Sequence, residues 1–260
     1  MDELDLLFDL HRRNPRQGPG SRAATLRAIE LAGLTPDRPL RIADLGCGTG
    51  ASARVLAEVL DAWVTAVDFG QPFLDELERH ARDEGVADRI ETVKASIDDL
   101  RADDGRFRDG RFDVLWSEGA IYNLGFERGV RDWRRLLKPG GVLVVSEITW
   151  TTSSRPDDLQ VFWDEVYPEI DLASAKIGVL EQAGYSPIGY FTLPPECWLE
   201  GYYRPLEKGF DAFLERHGNS PAARGIVQRE HEEIERYRRC GAHYSYGMYI
   251  ARRLEAPAPR

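Results

Sequence analysis

The sequence predicts an α/β fold, a mostly parallel sheet with helices on both faces. Three observations carry that prediction. Short apolar runs of strand length alternate with helix-period segments through the first 150 residues. A glycine-rich turn joins the first of those runs directly to a helix. The length of 260 residues, with 42% hydrophobic and 30% charged residues, suits one large α/β domain or a domain with an insertion.

After an acidic amphipathic start, the stretch Arg16-Gln17-Gly18-Pro19-Gly20-Ser21 breaks any helix, and Ser21 is placed to cap the next one, over residues 21–32. Residues 1–33 therefore read as a helical cap segment ahead of the sheet. Residues 41–45 (RIADL) form a buried strand, followed at once by Gly46-Cys47-Gly48-Thr49-Gly50 and a helix over residues 52–60. Residues 63–67 make a second strand ending at Asp68, and Pro72 falls in the first turn of a helix running to about residue 84, where proline is tolerated. A third strand covers residues 89–94 and a fourth residues 112–116 (FDVLW). A crossover helix over residues 129–137, stopped by Lys138-Pro139-Gly140-Gly141, leads to a fifth strand at residues 142–148. Such alternation favours right-handed crossovers, with ligands bound beyond the strands' carboxyl ends.

Past Trp150 the rhythm changes: a helix over residues 171–183, a strand over 186–193, and a late strand over 244–251 (YSYGMYIA). The insertion at residues 194–241 carries helical patterns at 206–217 and 221–239 and reads as a flap beside the sheet. Its charge run EHEEIERYRR reads as a solvated helix face. Residues 256–260 (APAPR) read as a disordered tail, and residues 1–260 as a single domain.

Charge and cysteine usage narrow the function. A net charge of −10 and a pI near 5.1 oppose binding to a phosphate backbone, which argues against nucleic acid as a partner. No apolar run approaches the ~20 residues of a membrane span, and the acidic start does not resemble a signal peptide, so a cytoplasmic protein is expected. Cys47, Cys197 and Cys240 are dispersed and unpaired in spacing, and the five histidines show no paired metal-ligand spacing, so no metal is expected.

The chemistry begins at Asp44-Leu45-Gly46-Cys47-Gly48-Thr49-Gly50. Three glycines at alternate positions after a strand let a ligand approach the backbone. A dinucleotide fingerprint would read G-x-G-x-x-G and aim a helix N-terminus at a pyrophosphate. Here the spacing is G-x-G-x-G with an acid two positions earlier, and Asp44 disfavours pyrophosphate and favours a cation. Asp68, 22 residues after Gly46, stands where an acid accepts hydrogen bonds from ribose hydroxyls.

The segment IADLGCGTG resembles the first motif of class I S-adenosylmethionine-dependent methyltransferases. FDVLWSEGAIYNLGFERGVRDWRRLLKPGG, RQGPGS near the start and SEITW after the fifth strand are similar to a branch of bacterial small-molecule methyltransferases, type 11/25-like, so the resemblance spans nearly the whole chain. It implies a Rossmann-like sheet of seven strands, the last antiparallel, with a helical insertion before it. It implies S-adenosylmethionine as cofactor and S-adenosylhomocysteine as product, held by Asp44, Gly46, Cys47, Gly48, Asp68, Phe69, Ser96, Ile97, Ser117, Gln17 and Gly18. Ser96 stands where the family normally has Asp, a departure, though a hydroxyl still bonds an adenine edge.

The reaction implied is transfer to a small-molecule acceptor by metal-independent in-line displacement, because a sulfonium methyl is already activated. Glu118 is the candidate for an acceptor base or for orienting the acceptor; the alternative is that it only holds cofactor or caps a turn. Tyr122, Trp150, Trp163, Tyr167 and His243 are the candidate acceptor contacts, with Trp198, Tyr202 and Tyr203 adding aromatic surface around the pocket mouth. Two rivals share the pocket: a non-catalytic sensor of the cofactor or its demethylated product, and a nicotinamide-dependent dehydrogenase, against which the glycine spacing argues. Acceptor identity and oligomeric state stay open, a homodimer being one option.

Overall fold

The computed structural model describes residues 2–100 and 105–255; the tail at residues 256–260, expected to be disordered, lies outside the described residues. Seven strands form one sheet: β1 (Leu40–Leu45), β2 (Ala62–Asp68), β3 (Ile90–Lys94), β4 (Phe112–Ser117), β5 (Leu137–Trp150), β7 (Tyr185–Thr192) and β8 (Tyr244–Arg253), in the order β3-β2-β1-β4-β5-β8-β7. A two-residue strand, β6 (Asp171–Leu172), pairs with β5 off that path. The first five strands run parallel, and β8 is antiparallel to both β5 and β7. This is the expected Rossmann-like sheet with its antiparallel last strand.

The apolar character of the early strands follows from burial on both faces. In β1, Leu40 and Ile42 face one cluster, which also takes Leu56 of α3 (Ala51–Val59) and Leu77 of α4 (Gln71–Asp83). Ala43 and Leu45 face the other, with Phe126 and Val130 of α5 (Phe126–Trp133) and Leu180 of α7 (Ala173–Gln182). Each such aliphatic side chain, removed from water, contributes on the order of 2 kcal/mol. The order in which strands are added to the sheet reverses at β1, whose neighbours are β2 on one side and β4 on the other, so a crevice opens outside its carboxyl end.

Ser21 caps α2 (Arg22–Leu31) as the sequence suggests, its hydroxyl accepting from Ala24 N at 3.1 Å. Ahead of it, α1 (Glu3–His11) buries Leu6 and Leu10 and is tied to the far end of the chain through Asp9, which lies 2.8 Å from Arg216 and 3.0 Å from His217. Burial opposes charge on Asp9, but Arg216, His217 and Arg12 outweigh it and hold its carboxyl well below the usual range.

Three expectations are corrected. Lys138-Pro139-Gly140-Gly141 does not separate helix from strand: α5 ends at Trp133, a 3-10 turn covers Arg134–Leu136, and β5 already starts at Leu137, which pairs with Phe112. The register then jumps, Val114 pairing with Val142, so KPGG is a bulge within the strand. The helix expected from residue 171 starts at Ala173, because Asp171 and Leu172 extend along Thr149 and Trp150. A helix not foreseen, α6 (Asp157–Val166), follows Pro156. The insertion holds α8 (Pro195–Trp198), a π-helical turn Leu199–Tyr203, α9 (Arg204–Arg216) and α10 (Pro221–Cys240).

Candidate active site

A cleft of about 630 Å³ opens at the carboxyl ends of β1 and β2. The glycine turn docks on β2: Gly46 N and Cys47 N both donate to Val67 O, at 2.8 and 2.9 Å. Gly46 has φ +76°, and a Cβ there would lie 2.3 Å from the Ala120 Cβ, so only glycine lets the turn pass under the segment after β4. Asp68 braces the same turn, accepting from Gly48 N at 2.9 Å and from Gly70 N at 2.8 Å. Burial raises the Asp68 carboxyl above its ordinary value, opposed by those backbone donors.

Asp44 lies beneath the turn, 1% exposed, with one carboxylate oxygen, Oδ2, that has no hydrogen-bond partner. Burial pushes its carboxyl well up, and the negative charge of Glu118 adds to the shift, while Arg16 and the Ala53 N–H counter it. A buried acid held this way is stabilised by an incoming cation. The Cys47 thiol is likewise pushed well up by burial, which makes it a wall rather than a nucleophile.

The stretch before α2 closes the cleft. Gln17 Oε1 accepts from Thr49 N at 2.7 Å and Thr49 Oγ1 at 3.0 Å, while its Nε2 donates to His11 O and Asn14 O at 3.0 and 3.1 Å. Its amide is therefore spent on clamping α1 and its following loop to the glycine turn. Phe8 of α1 stands over the cleft with its ring 5.5 Å from Phe69 and 5.0 Å from Phe73. Ser96 and Ile97 line the side beyond β3, and the Ile97 carbonyl is fixed by Trp133 Nε1 at 3.0 Å.

A second cavity of about 280 Å³ shares Gln17, Gly18, Gly119 and Tyr122 with the cleft. Aromatic rings form its walls: Tyr122, Trp163, Tyr167, Trp198, Tyr203 and Tyr246. Trp198 stacks on Tyr237 at 4.4 Å and on Tyr246 at 5.1 Å, and its indole N–H donates to Ser245 Oγ at 2.8 Å. Tyr122 is 42% exposed, yet burial raises its phenol, because that exposed surface faces the cavities. Below the chamber Lys176 Nζ donates to Glu147 Oε1 at 2.9 Å, with 4% and 0% of the two side chains exposed. Lys176 also lies 5.7 Å from the centre of the Tyr167 ring. Burial raises the Glu147 carboxyl to about 7, against the pull of Lys176.

The sequence-derived residues divide. Asp44, Gly46, Cys47, Gly48, Asp68, Phe69, Ser96, Ile97, Gln17, Gly18 and Glu118 all line the cleft, whereas Ser117 does not. Ser117 is buried and donates its hydroxyl to Leu45 O at 2.8 Å, tying β4 to the end of β1. Tyr122, Trp163 and Tyr167 line the chamber, but Trp150 and His243 do not. Trp150 packs edge-on against Trp163 and Tyr244 under Arg155, and His243 sits in the turn before β8 with Nδ1 at 3.3 Å from Thr152 Oγ1. The Glu118 carboxylate receives Arg16 Nη1 on Oε2 at 2.8 Å, and Thr25 Oγ1 and Trp116 Nε1 on Oε1 at 2.8 and 3.0 Å. Its lone pairs are committed to holding Arg16, an arrangement suited to orientation rather than to taking a proton.

Residues not foreseen include Arg16, Phe8 and two acids of α10, Glu230 and Glu233. Glu230 lines the cleft and Glu233 lines both cavities, so on this side the charge run is not a solvated face. A signal was present: Ile226, Glu230, Glu233 and Tyr237 follow helical spacing, so the two acids fall on the helix stripe whose other members are buried. Among the described residues no group of three or more His, Cys, Asp or Glu is placed to hold a metal, and no helix is long and apolar enough to cross a membrane.

Comparison with known proteins agrees with this geometry. Residues 42–141 match the methyltransferase domain family. A demethylmenaquinone methyltransferase of Clavibacter sepedonicus is 35% identical over 153 residues, 57% of this chain and 56% of that protein. The chain spans from about a quarter to just over half the length of the curated relatives it matches. The X-ray structure of YjhP from E. coli superposes with a TM-score of 0.80 at 18% identity, covering 95% of this chain and 98% of that one. An S-adenosylmethionine-dependent methyltransferase from Geobacter sulfurreducens, in complex with S-adenosylhomocysteine, superposes with a TM-score of 0.76 at 19% identity, covering 99% and 98%. At these identities the likeness is one of fold.

Proposed function

We propose that this chain, which carries a class I S-adenosylmethionine-dependent methyltransferase domain, transfers a methyl group from S-adenosylmethionine to a small-molecule acceptor held in the aromatic chamber. The observation that carries the proposal is the unpartnered, buried Oδ2 of Asp44 beneath a turn that only glycine can make. That oxygen suits the positive charge of an adenosyl sulfonium amino acid and opposes a pyrophosphate.

The group bound in the cleft supplies a methyl already activated on a positively charged sulfur. Gly46 and Gly48 give it close access to backbone, Asp68 accepts from ribose hydroxyls through lone pairs its backbone donors leave free, and Ser96 with Ile97 borders the base. Arg16, held by Glu118, and the clamp of Gln17 on Thr49 keep the segment before α2 closed and exclude water. Gly119 and Tyr122, common to both cavities, align the acceptor with the methyl. We also propose one domain over residues 1–260, with residues 1–33 capping the cleft and 194–241 roofing the chamber, no metal requirement, and a cytoplasmic location in keeping with three free, buried cysteines.

Calorimetry with S-adenosylhomocysteine and NAD tests the cofactor. Binding of the first in the micromolar range and none of the second is expected; the reverse overturns the proposal. Asp68→Ala is expected to weaken S-adenosylhomocysteine by about tenfold or more, through loss of charge-assisted hydrogen bonds. Methyl release from labelled S-adenosylmethionine against pooled metabolites tests turnover, and a protein that binds but never transfers is a sensor instead.

A further inference from the structure

We infer that the chamber takes a small amine as acceptor and that Glu233 of α10 receives its ammonium proton and so frees the lone pair that attacks the methyl. This rests on the methyl-transfer proposal above and names the substrate class of that same site.

Glu233 is the carboxylate shared by the two cavities, whereas Glu118 lines the cleft alone with its oxygens committed elsewhere. Tyr203 donates its hydroxyl to Glu233 Oε1 at 2.9 Å, fixing the carboxyl while Oε2 receives no hydrogen bond from the described residues. The surrounding walls include the rings of Tyr122, Tyr202 and Tyr246, and an aromatic face attracts an ammonium through the ring quadrupole. A neutral hydroxyl gains nothing comparable from such walls.

The other charged groups near Glu233 reinforce the assignment. Glu230, one turn earlier, has its Oε1 3.1 Å from His11 Nε2 and an Oε2 that is buried without a partner. Arg236, one turn later, stacks its guanidinium 3.6 Å above the Phe162 ring and forms no ion pair within 4 Å among the described residues. Glu233 thus stands between Glu230, paired with His11 on the cleft side, and the fixed guanidinium of Arg236 on the chamber side. Glu233 is solvent-accessible where it lines the two cavities, and the protein packed around them, with the charge of Glu230, raises its carboxyl above its ordinary value.

The step balances without a further reactant. The bound ammonium passes one N–H proton to Glu233, which becomes a neutral acid. The freed nitrogen pair forms the new N–C bond as the S–C bond breaks, and its electrons stay on sulfur as a neutral thioether. The methylated ammonium leaves with its single positive charge, and Glu233 returns its proton to water.

Phenethylamine and 2-phenylethanol, equal in size and differing only in nitrogen for oxygen, are the probes. They are titrated into protein saturated with S-adenosylhomocysteine, following quenching of Trp163 and Trp198. The amine is expected to bind about tenfold tighter than the alcohol, and Glu233→Gln to reduce the preference to less than about threefold. S-adenosylhomocysteine affinity of the variant, measured first, reports whether it folds, and Glu232→Gln, on the exposed face of the same helix and outside both cavities, provides a second variant that keeps the preference. Equal binding of the two probes, no binding of either up to millimolar concentration, or a preference that survives Glu233→Gln overturns the inference. Failure of wild-type protein to bind S-adenosylhomocysteine overturns the methyl-transfer proposal instead, so the two failures are distinct.

Discussion

The cleft and the chamber share a wall at Gln17, Gly18, Gly119 and Tyr122, yet they are built by different means. The heart of the cleft is local: Asp44 through Gly50 make their turn over a few residues, and Asp68 braces it from the neighbouring strand. The chamber is assembled from distant parts: Tyr122 after β4, Trp163 on α6, Trp198 in α8, Glu233 on α10 and Tyr246 on β8. A binding surface fixed by turn geometry tolerates little change. One fixed by converging side chains is remodelled by substituting any of them, which suits a shared cofactor beside a variable acceptor.

The largest expected effect falls under the chamber. Lys176→Met strands the buried Glu147 carboxylate and is expected to cost about 3–5 kcal/mol at pH 8 in urea unfolding. The pH dependence has a definite sign. Burial lifts the folded Glu147 carboxyl from 4.5 to about 7, so the native state binds the proton more tightly and stability falls as pH rises through that window. Removing Lys176, which lowers the folded value, extends the window upward, so the variant's deficit shrinks at pH 6. An equal deficit at both pH values, or none, refutes the role of the pair.

At the cleft, Gly46→Ala forces a left-handed residue into 2.3 Å contact with Ala120. A cost of about 2–3 kcal/mol in stability and at least a tenfold loss of S-adenosylhomocysteine affinity are expected by calorimetry. Wild-type affinity in this variant would mean that the turn yields and that the cleft is no more rigid than the chamber.

Asp44→Asn separates binding from stability. The raised Asp44 carboxyl means that the folded protein loses stability as pH climbs and the buried acid must ionise. The ligand-free variant is therefore expected to melt about 2–4 °C higher at pH 8, while its S-adenosylmethionine affinity falls about tenfold. A variant that melts lower and binds as before removes Asp44 from cofactor recognition. Smallest is Ser117→Ala, expected to cost about 1 kcal/mol for the bond to Leu45 with affinity unchanged within about twofold. A larger loss of affinity would return Ser117 to the cofactor's contacts.

Sequence reading reached some parts of this molecule and not others, for reasons visible in particular residues. The glycine turn was legible because a positive φ and a strand-to-helix reversal are demands met within a few residues of Gly46. The strands were legible from their apolar runs, whereas the KPGG bulge was not, since proline and glycines signal a break whether or not the strand resumes its pairing beyond them. Residue type alone points Trp150 and His243 toward the pocket, whereas their placement outside it depends on α6 and on the turn before β8, which no short window contains.

By itself, then, the sequence determined the alternation of strands and helices through the fifth strand, the glycine turn with Asp44 and Asp68 beside it, and the aromatic wealth of the insertion. Only the tertiary structure decided that Glu118 is spent on Arg16, that Ser117 serves the turn from behind, and that Glu230 and Glu233 line the cavities. The physical reason is range. Backbone conformation and strand periodicity are set by neighbours along the chain, whereas the direction a carboxylate faces, and the donor that claims it, are set by packing between segments up to about two hundred residues apart.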